Sequence, residues 1–121
     1  MRDYRNLDAW QRAHRLVLDL YRETERYPDV ERFGLISQTR RAASSIPTNI
    51  SEGSGRQSDT EFSRFLTIAI GSAVELEYHL LLARDLGYLD GSRHAILTQE
   101  LGEVRAMLVG VRSHAQRRGL N

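Results

Sequence analysis

The sequence contains no cysteine and no lysine, only two prolines, and just 7% aromatic residues. Each scarcity excludes something. Without cysteine there is no disulfide framework and no thiolate metal site. Two prolines, no internal repeat and no low-complexity run leave little room for linkers. The low aromatic content argues against a base-stacking platform of the kind that sheet-based RNA binders carry. No window approaches the roughly 18 apolar residues of a membrane span. The opening MRDYRNLDAW also lacks the apolar stretch of a signal peptide. The expectation is a cytoplasmic protein with no membrane partner. Charge of one sign is nearly missing as a net quantity. The formal net charge is +1 and the pI about 8.2, so no overall field draws the chain to nucleic acid. All 17 basic residues are arginine. A GC-rich genome produces that bias, and so does selection for guanidinium forks that read phosphate or carboxylate.

What is present is helical periodicity in a chain of 121 residues, 40% hydrophobic and 27% charged, which suits one globular domain spanning residues 1–121. The first helix is expected over about 7–26, with Trp10, Ala13, Val17 and Leu20 as its buried line. Tyr27-Pro28-Asp29 ends it. The second is expected over about 31–50, burying Leu35, Ala42, Ile46 and Ile50. Pro47 inside it removes a hydrogen bond to the Ala43 carbonyl, so a kink is expected, with Ser44 or Ser45 serving the disturbed carbonyls. Gly53-Ser54-Gly55-Arg56-Gln57 reads as a loop.

The third helix, about 58–86, is the clearest. Ser58-Asp59-Thr60-Glu61 has the form of a capping box. Phe62, Leu66, Ala69, Ala73, Leu76, Leu80 and Ala83 follow at alternating spacings of four and three, a heptad seam. Gly87 supplies a left-handed stop. The fourth helix, about 91–118, starts near Asp90 or Ser92 and uses Leu97, Leu101, Val104, Leu108 and Val111. Connections this short force antiparallel neighbours, so the fold class is all-α, an up-down-up-down four-helix bundle. The third helix also carries Phe65, Ile68, Ile70, Leu81 and Leu82 around its girth, and the first adds Leu16 and Leu18. A helix apolar all round buries more than one face. Gly71 in mid-helix, beside Ser72 and Ala73, suits a close helix approach. These features predict self-association.

No catalytic or cofactor chemistry is legible. A di-metal bundle needs Glu-x-x-His pairs, and there is none. Glu75 and His79 flank the seam and read as a surface ion pair. His14, His94 and His114 lack nucleophile partners. Gly53-x-Gly55 follows a helix rather than a strand and is too short for a phosphate loop. No enzyme, no cofactor and no metal are the expectations. Arginine placement remains. Arg40, Arg41, Arg56 and Arg64 fall around the second helix, the loop and the start of the third. Arg112, Arg117 and Arg118 form a cationic tail with His114, which the helix macrodipole favours. These residues serve either phosphate contact or ion pairs with Glu31, Glu52, Asp59 and Glu61. Pro47, Asn49, Glu52 and Gly53 read as a structural motif, with Asn49 and Glu52 tying the helix end to the loop or pairing with Arg41 or Arg56.

From Tyr27 to Leu89 a long ordered pattern appears. It comprises Pro28, Glu31, Gly34-Leu35, Gln38, Arg40-Arg41-Ala42, Ser45-Ile46-Pro47, Asn49-Ile50, Glu52-Gly53 and Arg56. Then come Phe62, Phe65-Leu66, Ala69, Gly71-Ser72, Glu75-Leu76-Glu77 and Leu86-Gly87-Tyr88-Leu89. This pattern resembles the four-helix-bundle family of proteins encoded in intervening sequences of bacterial 23S ribosomal RNA genes, which also includes accessory proteins of diversity-generating retroelements. The resemblance implies a homopentameric ring without catalytic activity. For the retroelement members it implies a basic surface that binds a reverse transcriptase and nucleic acid, and this sequence departs from them in its near-neutral charge. Partners implied are other copies of the chain, then RNA, DNA or a nucleic-acid-processing protein; the alternative is a protein-protein adaptor ring. Any nucleic-acid binding is expected to be weak, sequence-tolerant and salt-sensitive.

Overall fold

A computed structural model of the chain describes residues 2–119. Among these residues are four α-helices: α1 (Asp8–Thr24), α2 (Leu35–Ser54), α3 (Asp59–Asp85) and α4 (Gly91–Gly119). Single turns of 3-10 helix at Tyr4–Asn6 and Asp29–Glu31 precede α1 and α2. Pairings between helices show the topology directly. Arg40 of α2 reaches Tyr21 and Thr24 of α1, and Ser45 of α2 meets Ser72 of α3. Arg105 and Arg112 of α4 meet Glu77 and Thr67 of α3, and Arg93 of α4 meets Glu23 of α1. Arg40 with Thr24, Arg112 with Thr67 and Arg93 with Glu23 each join the early end of one helix to the late end of the other, and Gly53 near the end of α2 lies against Phe62 and Phe65 near the start of α3. The protein is an antiparallel up-down-up-down four-helix bundle.

Its core is the seam of α3. Phe62, Leu66, Ala69, Ala73, Leu76, Leu80 and Ala83 are all buried. They face Leu35, Ala42, Ile46 and Ile50 of α2 and Leu97, Leu101, Val104 and Leu108 of α4, which are buried too. In α1 the buried line is Ala9, Ala13, Leu16 and Leu20, while Trp10 and Val17 lie only partly covered at its border. The expected stripe was rotated by one residue, because Leu16-Val17-Leu18 offers an apolar side chain in every direction. Among the described residues α3 also corrects the expectation about membrane spans: it is long and apolar enough to cross a membrane. The cause is the second apolar set on its outer side, added to a seam that the other helices cover.

Helix ends are fixed by local chemistry. Ser58 accepts a hydrogen bond from the Glu61 amide at 3.1 Å and caps α3. At the other end Gly87 adopts φ +83°. The Tyr88 amide then donates to the Ala83 carbonyl (2.9 Å) and the Gly87 amide to Arg84 (3.0 Å), a Schellman stop. Asp90 caps α4 through the Arg93 amide at 2.8 Å.

The second helix departs most from expectation. It begins at Leu35, four residues later than expected, and runs through Pro47 to Ser54 instead of ending near Ile50. Its start is set by Glu31, whose Oε1 accepts from the Leu35 amide at 3.1 Å, while its Oε2 accepts from the Tyr88 hydroxyl at 3.0 Å. One carboxylate therefore caps α2 and ties the α1–α2 connection to the α3–α4 connection. Gly34 leaves room for it, since a Cβ there would stand 2.8 Å from Oε1. At the far end Gly53 and Ser54 are helical and buried, not part of a loop. A Cβ on Gly53 would lie 2.7 Å from that of Phe65, so this glycine sets the closest approach of α2 to α3. Gly71 makes no such approach within the bundle. It is exposed, and a Cβ there would meet nothing within 4 Å.

Candidate functional site: an arginine surface and an end cleft

The structure divides the arginines that the sequence grouped together. Arg40 is half-buried and committed to the fold. Its Nε donates to Thr24 Oγ1 at 2.8 Å, its Nη2 donates to the Tyr21 carbonyl at 3.1 Å, and its guanidinium lies 4.5 Å over the Tyr21 ring. Arg41, beside it, is exposed and has no ionic partner among the described residues. Arg56 lies in the turn beyond the end of α2, and Arg40 is 14 residues before that end, about 21 Å at 1.5 Å per residue, so the two do not form one phosphate cluster. Arg56 stacks over Phe65 at 4.7 Å. Arg64 and Arg117 are exposed and without an ionic partner among the described residues. Arg112 is half-buried against α3, with Nη1 3.4 Å from Thr67 Oγ1.

The expected tie between α2 and the loop is also different. Asn49 donates to the Ser45 carbonyl (2.7 Å) and hydroxyl (3.0 Å), within its own helix. The Glu52 side chain is exposed, and it pairs with neither Arg41 nor Arg56 among the described residues. Ser51 donates to the carbonyl of Pro47. Ser44 donates to Arg41 O at 3.3 Å, while Ser45 Oγ lies 2.8 Å from Ser72 Oγ of α3, so neither hydroxyl serves the Ala43 carbonyl.

Two basic concavities result. The first is a groove of about 470 Å³ on the α1–α2 face, lined by Arg32, Arg40 and Arg41 with Tyr21 and Phe33. Among the described residues no carboxylate lines it. Phe33 is 91% exposed, on the connection into α2. The second is a cleft of about 680 Å³ at the bundle end where the start of the chain, the α2–α3 turn and the end of α4 gather. Arg2, Arg56 and Arg118 line it, with Asp59 and His114. Arg2 and Arg118 both pair with Asp59, the latter at 3.3 Å, and Arg2 stacks over Phe62 at 4.2 Å. Burial, then the charge of Arg118, lowers the Arg2 pKa.

The titratable groups elsewhere serve packing. His79 is buried rather than superficial; its Nε2 is 3.8 Å from the exposed Glu75 carboxylate, and Nδ1 has no partner among the described residues. Burial lowers its pKa, against the pull of Glu75. Glu23, also buried, accepts from Arg93 Nε at 2.8 Å. Among the described residues no three His, Asp or Glu side chains converge on a point where a metal ion would sit. Sequence reasoning missed Arg2, the Glu31–Tyr88 tie and the Glu23–Arg93 pair. Each joins segments remote in sequence, so no local spacing announces it.

The family model described as 23S rRNA-intervening sequence protein matches residues 5–110. The chain belongs to this family. No curated protein matches it closely enough to count as a relative. Among solved structures, this intervening-sequence family member is similar to a protein from Bacteroides thetaiotaomicron described as of unknown function and from the S23 ribosomal protein family. The two are 23% identical, the match covers 86% of this chain and 97% of the other, and the TM-score is 0.76. That likeness bears on the fold: the same helical arrangement persists with fewer than a quarter of the residues in common.

Proposed function

We propose that this family member is a non-enzymatic scaffold that assembles through the outer face of α3, with nucleic acid as its second partner. One observation carries the assembly reading. At 100° per residue, Ile68, Gly71, Val74, Tyr78 and Leu81 lie on the side of α3 opposite the seam. The four larger side chains are exposed, Tyr78 by 59% and Ile68 by 51%. A groove of about 350 Å³ between this row and His94 and Thr98 of α4 continues the apolar surface. Such a row on a water-soluble bundle suits a second copy of the chain, and Gly71 lets that copy approach closely. The count of five comes from the family resemblance. Light scattering at micromolar concentration is expected to give a multiple of 13.9 kDa, with Val74→Glu lowering it while circular dichroism stays helical. A wild-type monomer at that concentration refutes the reading.

Nucleic-acid contact is favoured by the α1–α2 groove, where three arginines and two aromatic rings meet without a carboxylate. Arg32 and Arg41 suit phosphates, and Phe33 and Tyr21 suit unpaired bases. In a ring the groove recurs once per copy, raising avidity without raising net charge per chain. Affinity for unrelated single-stranded RNAs is expected to fall linearly in log salt, by about 0.7 per phosphate neutralised. Arg41→Ala is expected to weaken it without moving the melting temperature. No binding at low salt leaves the adaptor ring, holding another polypeptide, as the better reading.

A further inference from the structure

The end cleft holds more positive charge than its own carboxylate balances. Among the described residues Arg2, Arg56 and Arg118 line it against Asp59 alone, an excess of two charges. A structural clasp between the chain's two ends needs only Asp59 with Arg2 and Arg118, each on a different oxygen. Arg56 is superfluous to that clasp, yet it lines the same cleft from the α2–α3 turn. The cleft is also too large for a lone ion. At about 680 Å³ it has the dimensions of a small-ligand site, and Leu7, Phe62, Val111 and Ala115 supply apolar wall. Two guanidinium groups lie over phenyl rings here, Arg2 4.2 Å from the Phe62 centroid and Arg56 4.7 Å from that of Phe65. Flat guanidinium faces are surfaces on which nucleobases stack, and their edges fork onto phosphate. The wall is also held in place: Gly119 packs against Thr60, where a Cβ would meet Thr60 Oγ1 at 2.8 Å, fixing the end of α4 beside the start of α3.

The geometry points to a nucleotide-phosphate site in this end cleft, in which Arg2, Arg56 and Arg118 hold a terminal phosphate while its base packs on the guanidinium faces and the apolar wall. The site is separate from the α1–α2 groove and from the outer face of α3, so it stands or falls without them. A terminal phosphate has two sources with the same chemistry, a free nucleoside 5′-monophosphate and the 5′-phosphate end of a nucleic-acid strand.

Titration calorimetry on the full chain at fixed ionic strength tests it, with adenosine 5′-monophosphate, adenosine, inorganic phosphate, and one short oligonucleotide with and without its 5′-phosphate. The monophosphate is expected to bind, adenosine not to bind, and inorganic phosphate to bind at least tenfold more weakly than the monophosphate. Arg56→Ala and Arg118→Ala are each expected to weaken the monophosphate at least tenfold, with Arg64→Ala, outside the cleft, unchanged. Tighter binding of the 5′-phosphorylated strand than of the monophosphate assigns the site to strand ends, and the reverse order assigns it to free nucleotide. The proposal is overturned by failure of both the monophosphate and the phosphorylated strand to bind at millimolar concentration. It is equally overturned by adenosine or inorganic phosphate matching the monophosphate, or by indifference to both cleft variants while light scattering shows the assembly intact.

Discussion

Replacing Gly53 by alanine places a methyl carbon 2.7 Å from Phe65 Cβ and 3.0 Å from Phe62 Cδ1. Phe65 Cβ is rooted in the α3 backbone, so relief requires α2 and α3 to separate rather than a side chain to swing. Overpacking of this kind costs about 1–3 kcal/mol. Alanine recovers about 1 kcal/mol of helix propensity over glycine. The net is a loss of about 1 kcal/mol, which lowers the melting temperature by roughly 3–6 °C in a domain of this size. Gly71→Ala is the control, because there a Cβ meets nothing within 4 Å. Propensity then acts alone on the isolated bundle, a gain of about 1 kcal/mol. If a second copy approaches at Gly71, the same methyl lies in the contact and the assembly loosens. Thermal melts and light scattering on both variants separate the cases. A rise in melting temperature for Gly53→Ala equal to that of Gly71→Ala would refute the claim that Gly53 sets the α2–α3 spacing. A stabilised and fully assembled Gly71→Ala would move the contact between copies off that turn of α3.

Tyr27 is buried and its hydroxyl has no partner among the described residues, so Tyr27→Phe is expected to be neutral or to stabilise by up to about 1 kcal/mol. Burial, then Glu23, pushes the Tyr27 pKa from 10.0 up to about 12. Between those values the folded state keeps a proton that the unfolded state has lost; wild-type stability therefore falls with rising pH there, and the variant's falls less. His79 works at the acid end: its pKa is lowered in the fold, so below about 6.5 the unfolded chain binds the extra proton and stability drops. Melts of wild type and His79→Gln at pH 7.5 and 5.5 are expected to show the shallower fall in the variant. Glu31→Ala is expected to cost about 1–3 kcal/mol by removing the α2 cap and the Tyr88 partner, non-additively with Tyr88→Phe in denaturant titrations. Leu76→Ala is expected to cost about 2–5 kcal/mol in the same titrations, and a change within noise would mean that the seam is not the core.

How much of this was readable in the sequence depends on whether one helix or two decide a residue's environment. The α3 seam was legible because its heptad spacing leaves a single direction for seven apolar residues, and all seven are buried. The α1 stripe was legible only to within one residue, because Leu16, Val17 and Leu18 satisfy several registers and the neighbouring helices chose among them. Gly53 was read as a loop residue since Gly-Ser-Gly has the composition of one. The same smallness is what α2 needs where an added Cβ would stand 2.7 Å from that of Phe65, and nothing within α2 alone distinguishes the two.

The arginines fail by the same logic, taken one step further. Arg40, Arg41 and Arg56 looked like a cluster because they are near in sequence, but the rest of α2 carries the chain about 21 Å beyond Arg40 before the turn that holds Arg56, and the fold spends Arg40 on Thr24 and Tyr21. The set that the fold does assemble, Arg2 with Arg56 and Arg118, spans nearly the whole chain. An even number of antiparallel helices returns the end of the chain to the level of its start, and the α2–α3 turn lies at that same level. Three charged segments must therefore meet at one end of an up-down-up-down bundle, whatever their sequence separation. Along such a chain, charge clusters belong to the ends of the bundle more than to stretches of sequence, and Arg56→Ala paired with Arg41→Ala reads that difference. The first variant is expected to change binding in the end cleft alone, the second in the α1–α2 groove alone. If each variant impaired both, the two basic surfaces would be one.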